Sequence, residues 1–280
     1  MFNHPLPPPI QIGQKVFDFS RPYVMGVLNL TPDSFFSESC VPRDTVLARA
    51  EAMVRSGADI LDLGAESSRP GSERISDQEE IQRLGNTLQK LKRTFDIPLS
   101  LDTAKGAVAE FGLSEGVDMI NNIAGTQMDP TLVQAVVKAQ CPLVFMHMQN
   151  TPETMQAKPH YTDVISEVLS DLSKAVSVAR QAGVSSLILD PGIGFGKTLT
   201  HNLSLLRHLD RFLSLGHPLL IGVSRKSFIG MLCDCPPEDR LPGSLGAGLY
   251  AVMKGVHFLR VHDVAETRQA LTVFSAIHQS

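Results

Sequence analysis

The feature that most narrows the fold is a repeat of pattern rather than of residues. From Tyr23 onward a short apolar run ends in polar residues and a longer amphipathic stretch follows, and this happens eight times. The apolar runs are Tyr23–Leu28, Asp59–Leu63, Ile97–Leu101, Val117–Ile120, Pro142–Met146, Ser186–Leu189, Pro218–Val223 and Val256–Val261. They are rich in Val, Ile and Leu without polar alternation, as expected for parallel strands buried on both faces. Between them, Asp163 to Gln181 sets Val164, Val168, Leu172, Ala175, Val176 and Ala179 on one helical stripe. Ser76-Asp-Gln-Glu79 reads as a capping box opening a helix that continues through Leu91. Gly57, Gly116, Gly183 and Gly255 stand where helices hand over to strands, suiting the left-handed turn that ends a helix. Eight β-α units in 280 residues predict an α/β fold, a TIM (β/α)8 barrel over residues 23–280, with a doubly wound open sheet as the alternative. Residues 1–22 form a short N-terminal extension. Four prolines in its first nine residues predict an extended arm, and Gln11 to Phe19 can form a short hairpin.

Composition excludes several classes of function. A net charge of −4 gives no reason to expect nucleic acid as a partner. No apolar run approaches the ~20 residues that span a bilayer. The start, MFNHPLPPPIQIG, lacks the basic and apolar regions of a secretory signal, so a soluble, cytoplasmic protein is expected. Cys40, Cys141, Cys233 and Cys235 are too scattered for a disulfide framework, and Cys233-x-Cys235 has no second pair to complete a zinc site. They read as free thiols.

A barrel enzyme builds its active site at the C-terminal ends of its strands. Those ends here carry Asn29; Asp62 running into Glu66; Asp102; Asn121 and Asn122; His147; Asp190; Ser224-Arg225-Lys226; and Arg260 with His262. Any one has an ordinary reading: an Asp after a strand as a helix cap, a lone His as a hydrogen-bonded core residue. Eight polar ends converging on one rim are not required by packing and are penalised by burial, so the set points to function. Asp102, Asn121, Asp190 and Lys226 suit a flat heterocycle edged with N–H donors and a carbonyl. Arg260, His262 and Asn29 suit an anion with a bound metal, since Arg grips phosphate in a fork and Asn29 offers Mg²⁺ a hard oxygen. The Gly-rich stretch ending at Lys197 mimics a P-loop, but Pro191 stands where the motif needs its first Gly. No Gly-x-Ser-x-Gly nucleophile elbow is present.

The order of these segments resembles the dihydropteroate synthases. Met25-Gly-Val-Leu-Asn-Leu-Thr-Pro-Asp-Ser-Phe35 is similar to that family's first signature, and Asp59-Ile-Leu-Asp-Leu-Gly-Ala-Glu-Ser-Ser-Arg-Pro-Gly71 to its second. Ser100-Leu-Asp-Thr-Ala-Lys105, Met119-Ile-Asn-Asn122, Phe145-Met-His-Met-Gln149, Leu189-Asp-Pro-Gly-Ile-Gly-Phe-Gly-Lys197, Gly222-Val-Ser-Arg-Lys-Ser227 and Leu259-Arg-Val-His-Asp263 extend the match over nearly the whole chain. The resemblance implies condensation of a dihydropterin diphosphate with 4-aminobenzoate and release of pyrophosphate. Asp102, Asn121, Asp190 and Lys226 are then the pterin residues, with Met146 and Phe195 lining the slot. Asn29, Arg260 and His262 form the diphosphate and Mg²⁺ site, Asn29 being the metal ligand. Phe35, Ser68, Arg69, Pro70, Ser224 and Arg225 serve the aminobenzoate side and its loops, and Asp33 orders the first loop. The catalytic set is Asp102, Lys226, Arg260 and His262, and the expected path is dissociative and SN1-like. A homodimer through the outer helices is also implied.

Three departures stand out. The first loop reads Ser34-Phe-Phe-Ser-Glu-Ser-Cys40 where the family has Ser-Phe-Ser-Asp-Gly-Gly, Ser68 replaces Thr, and Asn122 replaces Asp. None falls on the pterin or phosphate residues. Two rival readings share the pterin pocket: a barrel that transfers a methyl group to a corrinoid protein, and a homologue that binds pterin without turnover. Ser-Arg-Lys after the seventh strand and Arg-Val-His on the eighth favour the synthase over the methyltransferase, which needs no diphosphate site; the altered first loop is the only support for the binding homologue.

Overall fold

The computed structural model describes residues 5–30, 43–67, 72, 74–123, 129–151 and 154–279. Eight parallel strands form a TIM barrel: β3 Tyr23–Asn29, β4 Ile60–Gly64, β5 Leu99–Asp102, β6 Met119–Asn122, β7 Leu143–Met146, β8 Leu187–Asp190, β9 Leu220–Gly222 and β10 Phe258–Val261. Successive strands pair from β3 to β8, and β10 lies between β3 and β9. The ring closes through a parallel bridge between Leu189 and Leu219, where Leu189 N donates to Pro218 O at 2.9 Å.

The unbroken apolar runs alternate in space, as strand geometry requires. Leu61, Leu63, Leu101, Ile120, Leu143, Leu189 and Leu259 pack outward against the helices. Met25, Ile60, Met119, Val144, Ile188, Leu220 and Phe258 gather in a second core along the barrel axis. Two residues further along four of the strands the same inward face turns from oil to polar groups: Ile60 gives way to Asp62, Met119 to Asn121, Ile188 to Asp190, and Phe258 to Arg260. The strands start up to two residues later than the apolar runs, and most run on into their polar ends. Asn29, Asp102, Asn121 and Asp190 are strand residues fixed by the ladder rather than loop residues.

The N-terminal mouth is plugged by an antiparallel hairpin, β1 Ile10–Ile12 and β2 Lys15–Phe17. Its apolar face and Phe19 enter the axial core, with Phe17 4.7 Å from Tyr23 and Phe19 5.8 Å from Phe258 between ring centroids. One mouth is thus sealed with aromatics and the other is polar.

The outer layer comprises α1 Arg43–Arg55, α2 Asp77–Leu84, α3 Thr87–Thr94, α4 Gly106–Ser114, α5 Pro130–Ala139, α6 Val164–Gln181, α7 Leu199–Arg207, α8 Ser227–Cys233, α9 Leu241–Met253 and α10 Val264–Gln279. α6 buries the predicted stripe and is capped by Asp163, which accepts from Ile165 N and Ser166 N. The helix expected from Ser76 through Leu91 is instead two helices. Gly85, at φ +48° and ψ −131°, takes a conformation closed to most side chains and breaks it. Half of the capping box forms there: Ser76 Oγ accepts from Glu79 N, but the Glu79 carboxylate turns to Arg83 at 2.6 Å. Among the described residues no helix is long and apolar enough to cross a membrane.

Candidate active site

Arg260 organises the polar rim. Its Nε donates to Asp62 Oδ2 at 2.6 Å and its Nη2 to Asp102 Oδ2 at 2.7 Å, so one guanidinium ties β10 to β4 and β5. Asn121 Nδ2 donates to the same Asp62 oxygen at 3.1 Å. Asp62 is fully buried, and its Oδ1 has no hydrogen-bond partner among the described residues. Burial pushes the Asp102 carboxyl up to about 7, against the pull of Arg260 and with help from the neighbouring Asp62 charge. Burial works against the Arg260 charge, yet Asp62 and Asp102 together hold that group above its ordinary value.

A second acid–base pair stands across the mouth. Asp190 ends β8, and its Oδ1 accepts from Gly192 N at 2.7 Å. Burial raises the Asp190 carboxyl, and Lys226 opposes the rise. Lys226 caps the start of α8 and donates to Ile193 O; its Nζ lies 4.5 Å from the Phe195 ring centroid. Burial lowers Lys226 to about 8, with Asp190 resisting. Both carboxylates therefore sit beside cations in a low-dielectric mouth. Met146, Met148 and Met155 form an apolar cluster with Ile123 and Phe195 packed against it, and the Phe195 ring links that cluster to the Lys226 amine. Apolar side chains beside carboxylates and an amine suit a planar heterocycle with an edge of donors and acceptors.

Asn29, the last residue of β3, and His262, just past β10, face a cavity of about 480 Å³ also lined by Arg49, Asp263 and Glu266. Gly64 lies between Asn29 and Asp102: a Cβ there would stand 3.7 Å from Asn29 Oδ1 and 3.6 Å from Asp102 Cβ, ordinary contact distances that put the amide oxygen near the acidic rim. Ser224 Oγ lies 3.0 Å from His262 Nδ1 and accepts from His262 N at 3.2 Å, which makes Ser224 the support of the imidazole. Arg225 is turned to the outer edge. Its guanidinium is clasped by Asp263 at 2.7 and 2.9 Å and donates to the carbonyls of Pro237 and Glu238. Phe35, Ser68, Arg69, Pro70, Asp33 and the altered stretch Phe36 to Cys40 lie outside the described residues.

No group of three or more His, Cys, Asp or Glu among the described residues could hold a metal ion. A Mg²⁺ ion in its usual mode would need only one or two protein oxygens, completed by phosphate and water, and Asn29 Oδ1 is compatible with that demand. Sequence reasoning gave no role to Asp62, Ile123, Met148 or Met155. The signal for two of them is the i+2 step along a strand: from Ile60 to Asp62, and from Asn121 to Ile123.

Residues 25–262 match the family described as pterin binding enzyme. The chain is 42% identical to the dihydropteroate synthase of Synechocystis sp. over 278 residues, covering 97% of this chain and 96% of that one. It is 42% identical to the dihydropteroate synthase of Haemophilus influenzae, over 94% and 97% of the two chains. The fold superposes on Yersinia pestis dihydropteroate synthase in a sulfonamide drug complex with a TM-score of 0.92 at 38% identity, covering 97% of this chain and 100% of that one. It also superposes on the Thermus thermophilus enzyme in complex with 4-aminobenzoate, at TM-score 0.87 and 43% identity, and in complex with 6HMPPP, at 0.84 and 42%; each covers 96% of this chain and 99% of the other.

Proposed function

Because the chain belongs to the pterin-binding enzyme family, we propose that it is a transferase acting as a dihydropteroate synthase: it joins 7,8-dihydropterin-6-ylmethyl diphosphate to 4-aminobenzoate, giving 7,8-dihydropteroate and pyrophosphate. The observation that carries this reading is the rim itself. Asp102, Asn121, Asp190 and Lys226 are polar residues at or just past the ends of β5, β6, β8 and β9, and Arg260 of β10 is bonded to Asp102 among them. All stand at the C-terminal ends of parallel strands.

The aromatic amine of 4-aminobenzoate is neutral near pH 7 and already nucleophilic, so no covalent enzyme intermediate is needed. The bond from the pterin methylene to the diphosphate oxygen breaks with its electron pair leaving on the pyrophosphate, the bond to the amine nitrogen forms, and the amine gives up one proton to solvent or to the released pyrophosphate. Carboxylates at Asp102 and Asp190 accept from the pterin ring and favour positive charge developing on it, which supports a dissociative, SN1-like order of events. Lys226 donates to the ring from the opposite edge. Arg260 and His262 balance the charge that collects on the departing diphosphate. Asn29 is the residue to hold Mg²⁺, which when bound supplies further neutralisation of that leaving group. The loop residues Phe35, Ser68, Arg69 and Pro70 are assigned to the aminobenzoate side, with Ser224 acting there through its hold on His262 and Arg225 from the outer edge where Asp263 holds it.

A second copy of the chain belongs to this proposal. Met231 and Leu232 on α8, Tyr250 and Met253 on α9, and Val273 and Ile277 on α10 are exposed apolar side chains on the outer helices. A largely apolar groove of about 420 Å³ runs between α7, α8 and α9 beside them. Such a face suits homodimer formation. A reducing cytoplasm is consistent with Cys141, Cys233 and Cys235, which are free thiols.

The deciding experiment mixes purified protein with the dihydropterin diphosphate, 4-aminobenzoate and Mg²⁺ and follows pyrophosphate and dihydropteroate. Equimolar appearance of both supports the assignment. Tight pterin binding without either product overturns it in favour of a binding homologue.

A further inference from the structure

Behind the pterin slot lies a buried amine that the proposed chemistry does not use. Lys197 is 3% exposed, and no carboxylate of the described residues lies within ion-pair distance of its Nζ. The amine donates to Phe195 O at 2.9 Å and to His147 O at 3.4 Å, and it lies 3.1 Å from His147 Nδ1. His147 Nε2 stands 3.5 Å from Asp171 Oδ2 on α6. Burial and the Lys197 charge hold His147 far below the usual imidazole range, at about 3, so the ring is neutral. A neutral ring with its Nε2–H toward Asp171 presents Nδ1 as an acceptor for the lysine.

These bonds fasten one side of the Gly192–Lys197 turn to the end of β7. The turn lies very close to that strand end: a Cβ on Gly192 would come within 1.8 Å of His147 O, and one on Gly196 within 2.7 Å of Gln149 O. On its outer side the turn is held by Asn202 Oδ1, which accepts from Gly194 N at 2.7 Å, and by Gln156 Nε2, which donates to Gly194 O at 2.8 Å. The inner side carries the groups that face the slot. They are the Phe195 ring, the Ile193 carbonyl that receives Lys226, and the Gly192 N–H that binds Asp190.

We infer that Lys197 is a positioning residue for the pterin: through Phe195 O and the two His147 contacts it fixes the turn that sets the Phe195 ring, Lys226 and Asp190 around the heterocycle. Its hydrogen bonds go to the turn and to the end of β7, while its amine also lies 6.0 Å from the Tyr161 ring centroid, and none of these partners is assigned to the aminobenzoate. The inference rests on the dihydropteroate synthase reading, and its signature is selective loss of one substrate. Burial lowers the Lys197 amine to about 7, with Asp190 opposing the fall; burying so polar a group is an expensive way to fill space that a methionine of similar shape would fill equally well.

The test compares the wild-type protein with Lys197→Met and with the milder His147→Gln. Calorimetry measures Kd for the dihydropterin diphosphate with Mg²⁺, steady-state rates give KM for each substrate, and circular dichroism establishes the fold. Lys197→Met is expected to raise pterin Kd by about tenfold or more while KM for 4-aminobenzoate stays within about twofold, as misplacement of one pocket wall requires. His147→Gln moves in the same direction by less. Equal weakening for both substrates, unchanged pterin binding in a folded Lys197→Met protein, or loss of the fold in both variants assigns these bonds to the scaffold and overturns the inference. Absence of pterin binding by the wild-type protein is a separate result and sinks the synthase reading instead.

Discussion

Replacing Asp62 with Asn keeps the shape of the side chain and removes the charge on which the rim is built. The carboxylate is fully buried and accepts from Arg260 Nε at 2.6 Å and Asn121 Nδ2 at 3.1 Å. At an effective dielectric of about 20, a charge pair at that shorter separation is worth roughly 6 kcal/mol of attraction. Part of this is returned because an amide is cheaper to bury than a carboxylate, and Arg260 keeps Asp102 as a partner. A net loss of about 3 kcal/mol follows, at the lower end for breaking one side of a buried pair. For a chain of this length that is a fall of roughly 5 °C in Tm by thermal unfolding. The chemistry should suffer more. With Nε unanchored the guanidinium no longer holds its place for the diphosphate, and turnover drops by about ten- to a hundredfold. The variant also has a signature that instability cannot imitate. Asp62 is one of the charges that raise Asp102, so removing it lowers the Asp102 pKa from about 7. The acidic limb of kcat/KM for the pterin diphosphate then moves to lower pH. A limb that stays in place or moves upward refutes the idea that these two carboxylates share Arg260.

The other predictions concern different parts of the molecule. In the wild-type enzyme kcat/KM for the pterin diphosphate should be bell-shaped, falling below about pH 7 as Asp102 takes a proton and above about pH 8 as Lys226 loses one. A flat profile from pH 5 to pH 10, measured by stopped-time product assay with about half-unit steps, counts against those two groups. The same Asp102 shift has a stability sign: a raised carboxyl contributes most below its unfolded value near 4 and loses that contribution as pH rises through 7, which pH-dependent denaturation will register. Arg260→Ala should slow single-turnover cleavage of the pterin–diphosphate bond by about tenfold or more, and an unchanged rate contradicts its assignment to the leaving group. Chelation of Mg²⁺ should depress that cleavage while leaving the Kd of a pterin without diphosphate unaltered; equal effects on both would remove Asn29 from the metal's service. Phe19→Ala opens a cavity in the hairpin plug and should cost about 3–5 kcal/mol by chemical denaturation. The variant's kcat per folded molecule should stay unchanged, because the plug sits at the mouth opposite the active site.

The barrel was legible because its signal is local. Each apolar run and each amphipathic stretch can be read without knowing its neighbours, and the polar strand ends then fall on one rim by topology alone. What was not legible depends on who meets whom around the ring. Asp62 stood in the second run as a single acid within leucines; its value appears only when β10 delivers Arg260 from 198 positions away. Ser224 reads as a substrate-side hydroxyl, and the fold turns it to the His262 ring. The break at Gly85 was hidden because Ile81, Leu84, Leu88 and Leu91 keep a helical spacing on both sides of it, and only the backbone angles reveal two helices. Lys197 sat in a glycine-rich stretch whose nearest sequence likeness was a phosphate loop, whereas its partners are carbonyls and an imidazole.

The join between the sixth and seventh strands of the ring has a further meaning. Among the described residues β8 and β9 meet at a single bridge, Leu189 to Leu219, while β7 and β8 share four registered pairs. Asp190 stands on one lip of that seam, and Lys226 follows β9 on the other. A heterocycle grasped by both would act as a rivet across the thinnest stretch of the hoop. Occupancy should therefore slow amide exchange most at Leu189 and its neighbours, and the guest would complete a wall that the polypeptide leaves lightly stitched.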